Sequence, residues 1–328
     1  MRSLLNIENL SIGHGKKVLA QHLDLHLGAG ELICLMGPNG AGKSTLLRSI
    51  SALQKPLGGN LFLEDKDLTK MPSRELAKKI SVVLTNRVDS NLTVYKLVSM
   101  GRYPYTNWTG TMAEKDQILI QEAILRTGMQ DLVNRPLYQL SDGERQKAMI
   151  ARALAQDTPI ILLDEPSAHL DIPNKLELLS LLRKLSRESG KGILLSIHDL
   201  DAALQIADKI WLMDEEGKVL QGIPEDLVLE GQIQKLFSSE GLAFDMELGS
   251  FRISQEPESK VYLEGQEAGK SWTKRALHRK GFEISPNPSD DIPCITINVE
   301  SGSWIWKLKK PGEKGEFGSI EALLEKLS

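Results

Sequence analysis

The sequence predicts an α/β protein built on a mainly parallel sheet, followed by a small α+β unit towards its C-terminal end. Three observations carry that prediction. Short apolar runs alternate with longer segments of helical spacing, the pattern of strand–helix–strand crossovers. A glycine-rich loop lies between one such run and the helical segment after it. Beyond about Phe237 the chain becomes richer in Gly, Pro and Ser, and Trp272, Trp304 and Trp306 all fall there.

The elements follow in chain order. The first 35 residues read as β-structure: Leu23, Leu25 and Leu27 alternate with polar neighbours until the turn Gly28-Ala29-Gly30. Residues 31–36 form an apolar run suited to a strand buried on both faces. Residues 44–53, 115–127 and 174–188 have helical spacing, and apolar runs recur at 160–163 and 193–197. Strands near 251–254, 260–263, 295–299 and 304–308, with helices near 273–280 and 319–327, make the last unit. At roughly 90 residues it is large enough for a core of its own. Trp304 and Trp306 share one strand face by the period of two and are expected in that core. The boundary is placed so that residues 1–238 form the first domain and 239–328 the second.

Composition narrows the function classes. With 41% apolar and 26% charged residues, the chain of 328 is an ordinary folded protein. Forty basic against 44 acidic residues give a formal net charge of −4, which argues against a nucleic-acid partner. Cys34 and Cys294 are too few for a disulfide framework or a thiolate metal site. No secretory signal is expected from the start Met1-Arg2-Ser3-Leu4, and no apolar run approaches the roughly 20 residues that span a bilayer.

Gly37-Pro38-Asn39-Gly40-Ala41-Gly42-Lys43-Ser44-Thr45 fits the pattern Gly, four residues, Gly-Lys-Ser/Thr. Glycines let backbone N–H groups turn inward around phosphates, and the helix start near Lys43 adds its positive end. Lys43 is expected on the β- and γ-phosphates, and the Ser44 hydroxyl on Mg²⁺. Gly265-Gln266-Glu267-Ala268-Gly269-Lys270-Ser271 imitates the pattern with its first glycine one residue too close. It is expected to be a turn and helix start, without a second nucleotide.

The apolar run Ile160-Ile161-Leu162-Leu163 ends in Asp164 and Glu165. At a strand tip beside a phosphate loop, Asp164 is placed to orient Mg²⁺ and Glu165 to polarise an attacking water. Upstream, Leu140-Ser141-Asp142-Gly143-Glu144-Arg145-Gln146 leads into a helical stretch, and Ser141 with Glu144 has the spacing of a capping box.

In this order the motifs resemble the ATP-binding-cassette (ABC) family over about residues 4–253. The resemblance implies a P-loop NTPase fold with a mainly parallel core, an antiparallel β subdomain and a helical subdomain. It implies that Ser141 and Gly143 start a signature helix aimed at the γ-phosphate of a nucleotide held by the opposite subunit. Asp142 stands where the family usually has glycine. Ser167-Ala168-His169-Leu170-Asp171 resembles the D-loop that crosses the dimer interface, and Ser196-Ile197-His198-Asp199 the switch-histidine motif. His14 occupies the place of the aromatic that stacks on adenine. Thr85 occupies that of the Q-loop glutamine near Mg²⁺, with Asn86 as the alternative.

Leu92-Thr93-Val94, Gly101-Arg102-Tyr103-Pro104-Tyr105 and Ile150-Ala151-Arg152-Ala153-Leu154-Ala155-Gln156 resemble importers of iron–siderophore complexes, haem and cobalamin. The implied protein is the ATP-hydrolysing subunit of such an importer. It works with ATP and Mg²⁺ as a homodimer on the cytoplasmic face of a bacterial membrane, bound to integral-membrane permease subunits. Its connection to a substrate-binding protein is indirect. The alternatives are an exporter ATPase subunit or a soluble non-transport ABC ATPase. Against the latter stand the single phosphate loop and the lack of extended heptads. Arg275, His278, Arg279 and Lys280 read as a solvated helix face, with an anion site as the other reading.

Overall fold

The structure, a computed structural model, describes residues 3–15, 17–63, 66–84, 90–106, 111–238, 241–246, 249–253, 259–310 and 312–327. It divides into two units, Met1–Ser238 with Phe244–Ser250, and Ser239–Ala243 with Phe251–Ser328.

The first unit opens with an antiparallel sheet. β1 (Ser3–His14) pairs with β2 (Lys17–Gly28) on one side and β4 (Gly58–Leu63) on the other, and β5 (Lys66–Asp67) follows β4. Leu23, Leu25 and Leu27 are buried while Asp24 and His26 between them are exposed, so the alternation marks one core-facing side. A second sheet has the order β10-β9-β3-β8-β7-β6. Its members are β3 (Leu32–Met36), β6 (Ile80–Val83), β7 (Ile160–Leu163), β8 (Gly192–Ser196), β9 (Lys209–Met213) and β10 (Val219–Gly222). All neighbours are parallel except β10, which runs antiparallel along β9. Every residue of β3, β7 and β8 is buried, which is why these runs are apolar without alternation.

Helices α1 (Lys43–Ile50), α5 (Asp142–Ala155), α6 (Ile172–Ser189) and α7 (Leu200–Ile206) lie between those strands in the chain. Between β6 and α5 the chain forms a helical region with α3 (Val94–Ser99), a 3₁₀ stretch over Met100–Tyr105 and α4 (Glu114–Arg126), while the short α2 (Ser73–Leu76) precedes β6. α8 (Pro224–Leu229) and α9 (Gln232–Phe237) follow β10. Because β3, β8 and β7 are parallel neighbours, the loops at their C-terminal ends emerge along one edge of the sheet, where α/β folds place ligands.

A two-stranded ribbon of β11 (Leu242–Asp245) and β12 (Ser250–Ile253) is where the chain passes from one unit to the other. The second unit comprises β13 (Ser259–Gly265), α10 (Glu267–Arg279), β14 (Phe282–Ser285), β15 (Cys294–Glu300), β16 (Ser303–Lys310), β17 (Glu313–Phe317) and α11 (Ile320–Leu327). Its sheet has the order β14-β13-β15-β16-β17, with β13 parallel to both neighbours and the remaining pairs antiparallel. Val261, Leu263, Ile295, Ile297, Trp306 and Leu308 meet Leu277 of α10 and Leu323 of α11 in a separate core.

Trp306 is 6% exposed and its Nε1–H donates to the buried Thr273 hydroxyl at 2.8 Å, whereas Trp304 is 37% exposed, against the expectation for that pair. The two rings sit 6.4 Å apart on the same face. Trp304, however, lies beside the Ser301-Gly302 turn, and α10 passes it at Gly269, where a Cβ would come within 2.7 Å of its ring. The imitation loop at residues 265–271 is the end of β13 and the first turns of α10.

Candidate functional site

β3 delivers the chain into residues 37–42, and α1 begins at Lys43. Gly37 has φ +154°, and a Cβ there would lie 2.1 Å from the Met213 carbonyl oxygen of β9, so only glycine lets the loop leave the sheet here. Gly42 is the N-cap of α1 with φ +114°; no side chain caps the helix and no acid occupies its first turn. The N–H groups at that end are therefore left to an anion. Asn39 and Gly40 form the exposed crest of the loop, while Ala41 and Thr45 are buried. The Lys43 ammonium donates to the carbonyls of Gly37 at 2.8 Å and Pro38 at 3.0 Å. Burial pushes Lys43 below the usual lysine range, with Glu165 and Asp164 pulling the other way. His14 stands exposed at the rim, its Nε2 3.1 Å from Thr45 Oγ1.

The carboxylates come from the end of β7. Asp164 is buried, and its Oδ1 accepts from Ser44 Oγ at 3.1 Å and Ser196 Oγ at 2.8 Å. Ser196 in turn accepts the Glu165 N–H at 2.8 Å. Glu165 is left-handed at φ +48°, a conformation costing on the order of 1–3 kcal/mol, and the Ser196 bond helps hold it. His198 Nε2 lies 2.7 Å from Glu165 Oε1. Next to it, Asp199 caps α7 and pairs with Lys175 of α6. Burial pushes Asp199 up, but Lys175 and the Ala202 N–H hold it below the usual carboxylate range. The Ser44 hydroxyl beside the Asp164 carboxylate is a set of hard oxygen donors of the kind Mg²⁺ takes. Ser196, read from the sequence only as the first residue of the His198 motif, is the residue to which sequence reasoning gave no role of its own. It is only the last residue of an apolar run until β8 is laid beside β7.

Ser141, Gly143 and Asp171 form a second group. Ser141 Oγ accepts the Glu144 N–H at 3.2 Å and the Ser141 N–H donates to Glu144 Oε2 at 2.8 Å, closing a capping box at the start of α5. Asp171 caps α6 by accepting the Asn174 N–H at 3.0 Å. Gly143 faces the Asn174 side chain, which would be 3.2 Å from a Cβ at that position, so the two helix starts pack directly. Among the described residues, no hydrogen bond or ion pair joins Ser141 or Gly143 to the phosphate loop, Asp164, Glu165 or His198. Thr85 and Asn86 lie outside the described residues.

The helical region carries a buried polar node. Arg102, 3% exposed, donates to Asp116 Oδ1 and to the Ala155 carbonyl, both at 2.8 Å, and the Tyr105 ring lies 3.9 Å from its guanidinium carbon. Beside it opens a cavity of about 950 Å³ lined by apolar side chains including Leu53, Leu57, Met71, Met100 and Tyr103, with Arg152 among its walls.

Comparison with known proteins agrees with this geometry. The ABC transporter family matches residues 20–168, and the iron ABC transporter C-terminal domain matches residues 258–328. An uncharacterized ABC transporter ATP-binding protein of Methanocaldococcus jannaschii is 39% identical over 255 residues, covering 77% of this chain and 88% of the relative. A petrobactin import ATP-binding protein of Bacillus anthracis is 37% identical over 241 residues, covering 73% of this chain and 88% of the relative. Among solved structures, a dimeric ATP-binding cassette in a post-hydrolysis state with ADP and Pi superposes with a TM-score of 0.58 at 27% identity. That match covers 67% of this chain and 99% of the cassette. A cassette-type sheet edge that gathers a phosphate loop, a strand-end acidic pair and a histidine, in a chain so similar to these relatives, is that of an ATPase: the chain belongs to the ATP-binding subunits of ABC transporters.

Proposed function

We propose that the chain powers import of a metal chelate, of the iron–siderophore, haem or cobalamin kind, across the cytoplasmic membrane. Two copies work head to tail, each ATP lying between one copy's phosphate loop and the other's Ser141 helix. The observation that carries the catalytic part is the Ser44–Asp164–Ser196–Glu165–His198 chain of contacts at the edge of the parallel sheet. The match of the second unit to an iron ABC transporter C-terminal domain supports the substrate class.

In this reading Gly37, Pro38, Asn39, Gly40, Ala41, Gly42 and Thr45 wrap the phosphates, Lys43 neutralises their β and γ oxygens, and His14 lies against the base. Ser44 and Asp164 would hold Mg²⁺, which draws charge from the phosphate oxygens when bound. Thr85 is proposed near the same ion. Glu165 accepts a proton from the attacking water as its oxygen bonds to the γ-phosphorus and the bridging P–O bond breaks, releasing ADP and phosphate. His198, held at Glu165, orients that water and the γ-phosphate. Ser141, Gly143 and Asp171 complete the cradle from the other copy. That, among the described residues, no hydrogen bond or ion pair joins Ser141 or Gly143 to the phosphate loop, Asp164, Glu165 or His198 supports a cradle built from two copies.

The cavity beside Tyr103, with both apolar and polar walls, is the proposed dock for the permease. No helix among the described residues is long and apolar enough to cross a membrane, consistent with a peripheral subunit that meets the permease at the cytoplasmic face. A substrate-binding protein acts through that permease. The catalytic domain is proposed as residues 1–238 and a supporting or regulatory one as 239–328. Deleting the gene should abolish ATP-dependent uptake of a labelled ferric chelate, with rescue by the natural chain and not by Glu165→Gln. Undiminished uptake of every chelate tested in the deletion strain would contradict the substrate class.

A further inference from the structure

The signature helix of this chain carries a charge that its role does not favour. Asp142 and Glu144 both stand in the first turn of α5. Carboxylates there suit the helix dipole, but on the two-copy reading, on which this inference rests, the same turn must receive the terminal phosphate of ATP. Two negative groups beside a polyphosphate oppose its binding unless they are offset.

The structure shows how each is handled. Glu144 is folded back onto the Ser141 N–H. The Asp142 carboxylate is drawn along the helix to Arg145, whose Nη1 donates to Asp142 Oδ1 at 2.7 Å. That guanidinium is 5% exposed and fixed from the other side, where Nη2 donates to the carbonyls of Leu140 at 2.9 Å and Leu137 at 3.4 Å. It is therefore a buried cation anchored in the turn before the helix, and the half-exposed carboxylate comes to it. A pair with one end in water contributes little to fold stability. Its effect on an anion a few ångströms away is larger, because the buried cation is weakly screened.

We propose that Arg145 is a positioning residue for ATP-driven closure: it neutralises Asp142 and turns its carboxylate off the end of α5, which lets an aspartate stand where a glycine would otherwise leave the N–H groups clear. Arg145 and Asp142 are one functional unit, and removing only the cation exposes the nucleotide to the carboxylate.

The test is a double-mutant cycle in the Glu165→Gln background, reading by light scattering the ATP concentration that half-converts monomer to dimer. Arg145→Gln should raise that concentration about tenfold or more, Asp142→Gly should change it less than about threefold, and the double variant should return close to the parent. A double variant as impaired as Arg145→Gln alone would overturn the proposal, because the arginine would then matter only for the Leu137 and Leu140 carbonyls. If Arg145→Gln does not fold, Asp142→Gly alone still decides: tightening of about tenfold or more would show that the carboxylate is not neutralised. Should the parent Glu165→Gln chain fail to dimerise with ATP at all, the two-copy reading itself falls and takes this inference with it.

Discussion

The two helix starts proposed to meet the nucleotide are built in opposite ways. α1 begins at Gly42 with no side-chain cap and no acid in its first turn, and Lys43 is buried beside its open N–H groups. α5 begins at Ser141 with a closed capping box, two carboxylates in its first turn and a buried arginine holding one of them. α1 draws its stability from elsewhere, from the buried strand β3 before it and from Leu46, Leu47 and Ile50 in the core. On the proposed two-copy reading the contrast follows from two different duties. A helix that kept the polyphosphate through the cycle would leave its donors free, while one that met the nucleotide only on closing would also have to be sound when apart.

The largest loss is expected when α1 is made to start like α5. Gly42→Asp should weaken ATP binding about a thousandfold or more, since it adds a carboxylate to the anion site at a backbone angle hostile to side chains. Gly42→Asn isolates the strain, and titration with a fluorescent ATP analogue should find it clearly the milder variant. Next in size is the far end of α5, where Arg102 holds the Ala155 carbonyl and Asp116. Arg102→Ala should cost about 3–5 kcal/mol in urea unfolding, because Asp116 is left buried without its cation. Burial pushes Asp116 up, but the Ala113 N–H and Arg102 hold it below the usual carboxylate range. Its contribution is thus fully present above that range and lost as pH falls through the lowered value, so the natural chain should lose more stability in acid than Asp116→Asn.

Ser196→Ala removes one hydroxyl from Asp164 and orphans the Glu165 N–H, which should lower turnover about tenfold while ATP affinity holds. A parallel loss of affinity would mean that Ser196 serves the phosphate loop instead. The smallest effect belongs to Ser141→Ala, about 1 kcal/mol of helix stability from the lost cap. It should appear as faster amide exchange confined to the first turn of α5.

What the sequence disclosed depended on how local the cause was. The run at residues 160–163 coincides with β7, because a strand buried on both faces has no polar residue to blur it. The Ser141–Glu144 box was legible three residues apart because capping is a contact within one turn. β17 was missed: Glu313, Lys314 and Glu316 flank Gly315 in an edge strand, whose only strong apolar mark is Phe317. β14 and β11, at four residues each, were missed as well. Trp304 followed the period of two correctly onto the face of Trp306, but period says nothing of what covers each end of a face. Ser196 and the Arg145–Asp142 pair differ in the same way. The pair lies within one helical turn and could have been read from its spacing, whereas Ser196 acquires its partners only when β7 and β8 become neighbours.

Whether ATP is enclosed by two copies of this chain is decided by measuring the mass of Glu165→Gln in solution as ATP is added. Conversion from monomer to a dimer holding two nucleotides, reversed when Ser141 is also replaced by a bulky arginine, is the predicted result. A chain that stays monomeric at saturating ATP, or whose dimer is indifferent to that second change, would contradict it.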